Sequence, residues 1–203
     1  MSKVSLKEGR VRQKLETRSQ ILEAAREIMK AKKKLSLEEV ARQAGISRAT
    51  IYRYFPNVDL LIIEASLDIH YVSPEELAEK VASKTIDEGF LYIQEYFNKL
   101  TLTHEPVFRQ YLSAVLQESL ASKKKLRGGR RIAALETLMA TYEGEMDEET
   151  LENLKNISAI LMVDAIMTGK DVCGLASDKI SHTLRWGLEM ILKGIQADMK
   201  ESA

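Results

Sequence analysis

The chain has 203 residues, 45% of them apolar and 30% charged, which is enough to bury a core and is the composition of an ordinary soluble protein. Its net charge of zero is unevenly spread: residues 1–60 carry 14 Lys/Arg against 7 Asp/Glu and the remainder 16 against 23, so a basic head suited to a polyanion precedes an acidic body. The single Cys173 excludes an internal disulfide framework, the polar N-terminus shows no secretory signal, and the most apolar stretch, Ile157–Met167, holds Asp164 and is about half a bilayer span, so a cytoplasmic protein without membrane contact is expected.

Residues 1–13 read as a frayed basic arm. A first helix is expected from about Lys14 to Lys32, with Leu15, Ile21, Leu22, Ala25, Ile28 and Met29 facing inward. The charged turn Lys32-Lys33-Lys34 follows. Residues 36–56, SLEEVARQAGISRATIYRYFP, then read as a helix-turn-helix. Ser36 caps a short helix, with Glu39 placed for a capping box and Val40, Ala41 and Ala44 as its buried stripe. Gly45 ends it in the left-handed conformation that glycine adopts without steric cost. Ser47 caps a second helix that carries Arg48, Ala49, Thr50, Tyr52 and Arg53 outward and Ile51 and Phe55 inward. Asn57 caps a fourth helix to about Tyr71, lined by Leu60, Leu61, Ile63 and Leu67.

The body begins near Ser73-Pro74, with helical periodicity at 75–83, 86–103, 106–124 and 130–142. Gly128-Gly129, and Gly144 with Asp147, mark breaks. Two long apolar-faced helices, about 148–168 and 178–198, close the chain, the last one capped by Ser177. Asn-Gly and Asp-Gly hairpin signals are absent. An all-α fold follows: an N-terminal three-helix helix-turn-helix DNA-binding domain over residues 1–60 and a C-terminal helical bundle over 61–203.

His70, His104 and His182 lack ligand spacing with Cys173 or paired carboxylates, so no metal site is expected. No Ser/His/Asp or Cys/His pairing and no phosphate-cradling glycine loop points to an enzyme or a cofactor. The body's aromatic and Met-rich helices read first as core. They also offer a mostly apolar cavity that would hold a small hydrophobic ligand through Tyr92, Tyr96, Phe108, Tyr111 or Trp186. His104 and Asp164 are isolated polar candidates on these helices.

Thr17-Arg18, Ile21-Leu22-Glu23-Ala24-Ala25, Val40 to Ser47, Ala49 to Phe55 and Asp59-Leu60-Leu61 together resemble the TetR family of bacterial transcriptional regulators over roughly residues 14–65. The resemblance implies a DNA-binding head and a variable body that holds a small-molecule cavity. It implies that Thr50, Tyr52 and Tyr54 bind phosphate and that Thr17 and Arg18 meet the DNA backbone. Packing of Tyr52 and Tyr54 into the three-helix core is the alternative. The chain departs from the family at Ala31 to Leu35, where a glycine-containing turn is usual, and at Val58, where a phosphate-binding lysine often stands.

On the recognition helix, Arg48 and Arg53 suit guanine O6 and N7, and the Ala49 methyl suits a thymine methyl. One such helix reads few base pairs, so a homodimer on a near-palindromic double-stranded operator is expected, paired through residues 148–198 as a four-helix bundle. Leu154, Ile157, Leu161, Leu184, Leu188, Ile191 and Leu192 are its candidate apolar surface. The leading reading is a dimeric repressor released by a hydrophobic ligand. The alternative is a helical interaction or chromosome-organising protein of the same fold.

Overall fold

The computed structural model describes residues 3–68, 70–72, 74–121, 129–142, 144 and 146–201, with side chains from residue 13 onward except at 74, 75 and 121. Every regular element among them is an α-helix: α1 (Lys3–Lys30), α2 (Leu37–Gln43), α3 (Arg48–Tyr54), α4 (Val58–Asp68), α5 (Pro74–Val81), α6 (Ile86–Thr103), α7 (Glu105–Ala121), α8 (Gly129–Met139), α9 (Glu148–Ile160), α10 (Val163–Asp171) and α11 (Ser177–Glu201). They form two compact units, Met1–His70 with Pro106–Arg127, and Tyr71–Glu105 with Gly128–Ala203. The sequence reads as dividing after residue 60; the compact units divide after His70, after Glu105 and after Arg127. The proposed cap at Ser73 and the break at Gly128 lie outside the described residues.

In the first unit, α1 begins at Lys3 rather than near Lys14. Residues 3–13 contain no proline and only Gly9 as a weak helix former. Once the packed part of the helix exists, each added residue gains a hydrogen bond without a new nucleation cost. Ile21, Leu22, Ala25 and Ile28 of α1 meet Leu37, Val40 and Ala41 of α2, Ile51 and Tyr54 of α3 with the following Phe55, and Leu60, Leu61 and Ala65 of α4. Val115 of α7 completes this core, with Tyr111 and Ala114 packed against it. Leu15 and Ile63 are only half-buried. Asn57 caps α4 by accepting from Leu60 N at 2.9 Å.

The turns on either side of α2 follow one rule with different residues. After α2, Gly45 has φ of 66°; its N–H donates to Arg42 O and Ile46 N–H donates to Ala41 O. This double bond pattern closes the helix end through a left-handed residue. After α1 the same pattern recurs: Lys32 N–H donates to Met29 O and Lys33 N–H to Ile28 O. Here Lys32 takes the left-handed position, with φ of 52°, which crowds its Cβ against the backbone. Lys32→Gly should therefore stabilise the protein by about 1 kcal/mol, and Gly45→Ala should destabilise it by about 1 kcal/mol, read as opposite shifts of the denaturation midpoint.

In the second unit, Leu77 and Val81 of α5, Phe90, Ile93 and Phe97 of α6, Ala134, Leu135 and Leu138 of α8, Leu154 of α9, Met162, and Leu188 and Leu192 of α11 form one core. Thr85 and Glu88 cap α6 reciprocally, each side chain bonding the other residue's backbone N–H. The helix expected over 148–168 is broken at Leu161-Met162 into α9 and α10. Neither proline nor glycine causes the break. The buried Gln94 amide donates to Leu161 O at 3.3 Å and to Leu184 O at 3.1 Å. Arg131 donates to Ala159 O at 3.1 Å. These donors from α6 and α8 satisfy carbonyls at the helix end, so ending the helix leaves fewer buried groups unpaired. The last helix starts at Ser177 itself, directly after Ala176. No helix among the described residues is long and apolar enough to cross a membrane.

Candidate nucleic-acid interface

Local chemistry positions α3. Ser47 Oγ accepts from Thr50 N at 3.1 Å, and its hydroxyl also meets Thr50 Oγ1 at 2.9 Å. Ile51 and the following Phe55 are fully buried, and Tyr54 lies in the same core. Anchored on that face, α3 presents Arg48, Ala49, Tyr52 and Arg53 to solvent, with Tyr52 44% exposed. Thr50 is half-buried. The Arg53 guanidinium lies 5.6 Å from the Tyr54 ring centre, which orients it without removing its donors. α2 crosses beneath, capped by Ser36, which accepts from Glu39 N at 3.2 Å. The reciprocal half of the expected capping box is replaced: the Glu39 carboxylate turns to Arg42, at 3.1 and 2.5 Å.

The eight residues assigned to DNA by sequence thus separate into groups. Arg48, Ala49, Tyr52 and Arg53 form one exposed row. Tyr54 is core. Thr17 donates to Gln13 O at 2.9 Å on α1 and is half-buried. Arg18 is held by Glu64 of α4: its Nε lies 2.6 Å from Glu64 Oε1, its Nη2 bonds Oε2, and its guanidinium stacks 4.6 Å from the Phe55 ring centre. Burial works against the charge on Arg18, but Glu64, with smaller help from Tyr111 and Tyr54, outweighs it and holds the guanidinium's pKa above its ordinary value. A second α1–α4 pair, Arg26 with Asp68, repeats the arrangement. Arg18 is therefore spent on fixing α4 to α1 rather than presented outward.

Glu38 is a residue that sequence reading passed over. Its carboxylate accepts the Tyr52 hydroxyl at 2.7 Å. That bond, a backbone hydrogen bond and nearby Arg48 hold the carboxyl below its usual pKa range, and Tyr52 is correspondingly raised. The pair fixes Tyr52 on the exposed face and places one negative charge beside it. Lys32, Lys33 and Lys34 are all exposed.

The aromatic candidates for a ligand are dispersed. Tyr111 packs on the first unit's core, and Phe108, also in that unit, is buried. In the second unit the Tyr96 hydroxyl accepts from Val72 N at 2.8 Å and its ring meets Phe97 edge-on at 5.0 Å. Lys84 covers the Tyr92 ring at 5.2 Å. Trp186 is 56% exposed. His104 caps the end of α6 through Leu100 O, and Asp164 accepts from Arg131 at 3.3 Å.

Residues 21–65 match the family of bacterial regulatory proteins described as the tetR family. Among solved structures the chain is similar to that of the TetR-like transcriptional regulator LfrR from Mycobacterium smegmatis in complex with proflavine, at 20% identity over 85% of this chain and 94% of that one, with a TM-score of 0.35. No curated protein matches the chain. The matched segment runs from the buried Ile21 of α1 through the left-handed turn at Gly45 and the exposed row of α3 to Ala65 of α4, so the likeness to the tetR family of bacterial regulatory proteins lies in this helix-turn-helix.

Proposed function

We propose that the protein is a homodimeric cytoplasmic repressor that binds a near-palindromic operator and leaves it when a small molecule occupies the second unit. The observation that carries this reading is the exposed Arg48, Ala49, Tyr52 and Arg53 row on a helix whose opposite face is locked in the core. Arg48 and Arg53 read guanine through paired donors, and the Ala49 methyl meets thymine. Tyr52 exchanges its Glu38 bond for a phosphate oxygen and sets register. Thr17, Arg18 and Tyr54 act by position: they hold α1, α3 and α4 in one frame.

Dimerisation uses residues 148–198, but through a different surface from the one the sequence suggests. Leu154, Leu188 and Leu192 are buried in the protomer's own core, and Ile157, Leu161 and Ile191 pack against it. The outward row of α11 is Trp186, Gly187, Met190 and Gly194, spaced as one helical face, and a Cβ at either glycine would meet open space. Ile160, at the end of α9, is 60% exposed. Large apolar groups beside glycines suit close helix–helix approach to a second copy. Release requires the ligand to prefer the DNA-free arrangement by about 1–3 kcal/mol.

Selection of bound duplexes from a random pool by the full chain tests the reading. Enrichment of an inverted repeat with half-sites about one helical turn apart is the expected result. Retention of DNA without a consensus would favour a chromosome-organising role instead, and a single unpaired half-site would contradict the dimer.

A further inference from the structure

Between α2 and α3 lies an open groove of about 400 Å³, lined by Ser36, Glu38, Glu39 and Arg42 of the capped α2, by Ile46 of the turn and by Arg48 at the start of α3. Two carboxylates enter this groove, although the head as a whole is basic. Glu39 is neutralised by Arg42, whose guanidinium meets it at 2.5 and 3.1 Å. Glu38 is not neutralised. Among the described residues it makes no ion pair, and the side chain bonded to its carboxylate is Tyr52, through the hydroxyl at 2.7 Å. Arg48, exposed in the same groove, also has no ion-pair partner among the described residues. The two are near enough for Arg48 to help draw the Glu38 carboxyl below its usual pKa range, yet each keeps its hydrogen-bonding edge open.

A carboxylate on this face restricts what the head can meet. Phosphate repels it, and guanine O6, guanine N7 and thymine O4 are acceptors like itself. The donors in the major groove are the amino groups of cytosine and adenine. Arg48 needs the reverse, two adjacent acceptors, which guanine presents as O6 and N7. A G·C pair shows two acceptors on guanine and then the N4 donor of cytosine along one edge. A guanidinium beside a carboxylate is the complement of that row. An A·T pair alternates acceptor, donor and acceptor, so the same two side chains would set a guanidinium donor against an amino group.

We infer that Glu38 is a base-reading residue that works with Arg48 on one G·C pair of each half-site, Arg48 donating to guanine O6 and N7 while Glu38 accepts from cytosine N4. The inference rests on the DNA-binding reading above and assigns to α2 a share of the specificity given there to α3 alone. Without DNA, the Tyr52 hydroxyl holds the carboxylate in the groove. When Tyr52 turns to phosphate, the carboxylate loses that donor and cytosine supplies another. At a pair whose edge offers no matching donor the charge faces the duplex unpaired, so Glu38 discriminates as much by opposing wrong sequences as by favouring the right one.

Selection of duplexes from a random pool by the full chain, by Glu38→Ala and by Arg48→Ala tests the inference. The parent should enrich one G·C pair in each half-site that both variants relax, while the other positions keep their preference. The cytosine of that pair is then replaced by pyrimidin-2-one, which lacks the amino group. This should weaken the parent by about tenfold and Glu38→Ala by less than about twofold, read by fluorescence anisotropy on otherwise identical duplexes. The response of the parent to the altered base needs no variant to fold. A parent indifferent to the missing amino group overturns the inference. So does a consensus that Glu38→Ala leaves intact while binding every duplex more tightly, since the carboxylate would then merely repel the backbone. A parent that enriches no consensus overturns the operator reading as well, which separates the two failures.

Discussion

Glu64→Ala should lower the unfolding free energy by about 3 kcal/mol, the largest stability loss of any single polar substitution in the first unit. Glu64 holds the Arg18 guanidinium at two points, and the two side chains are only 9% and 17% exposed. Removing the carboxylate strands a cation that burial already disfavours. Arg18→Met should cost a similar amount, because it strands Glu64. The double variant Arg18→Met, Glu64→Leu should return to within about 1 kcal/mol of the parent, since a well-packed apolar pair replaces a buried ion pair at little net cost. Chemical denaturation of the four proteins gives the cycle directly. If Arg18 instead met phosphate, as the family resemblance implies, Arg18→Met would lose DNA affinity at unchanged stability and the coupling would vanish.

Trp186→Arg should convert the proposed dimer to monomers and weaken operator binding by about a thousandfold while leaving helix content unchanged. Trp186 is more than half exposed within the protomer, so the substitution opens no cavity there. Facing a second copy it would bury an unpaired charge on both sides of a symmetric contact, a cost counted twice. Loss of the partner leaves one recognition helix on one of the two half-sites, so the contacts to the other half-site are lost. Light scattering together with fluorescence anisotropy on the selected operator checks both effects. A Trp186→Arg protein that remained dimeric would move the interface away from this face of α11.

The features legible in the sequence are those set by neighbours three or four residues apart. Ser36, Ser47 and Asn57 cap α2, α3 and α4, and Gly45 takes the positive φ that its turn needs, because each effect is local. The Thr85–Glu88 box was equally local and shows the same signature, a threonine three residues before a glutamate at the head of an apolar run. The features that escaped depend on distant partners. Arg18 resembles a phosphate ligand until Glu64, 46 residues away, is brought against it. The break between α9 and α10 carries no proline or glycine; it follows from Gln94, 67 residues before Leu161. Asn98 looks like an ordinary polar residue on a helix until burial leaves its oxygen without a donor among the described residues. Lys32 shows the converse: its turn is closed by a residue that local preference would not choose.

The most direct measurement is fluorescence anisotropy of the full chain on its selected duplex and on a scrambled duplex of equal length, at two salt concentrations, with Arg53→Ala beside the parent. The expected results are tighter binding to the selected site, a steep loss of affinity with salt from neutralised phosphates, and a loss of about 1–3 kcal/mol in Arg53→Ala confined to the selected site. A folded protein that binds neither duplex at low salt, or an Arg53→Ala protein that discriminates as well as the parent, would contradict the proposed function.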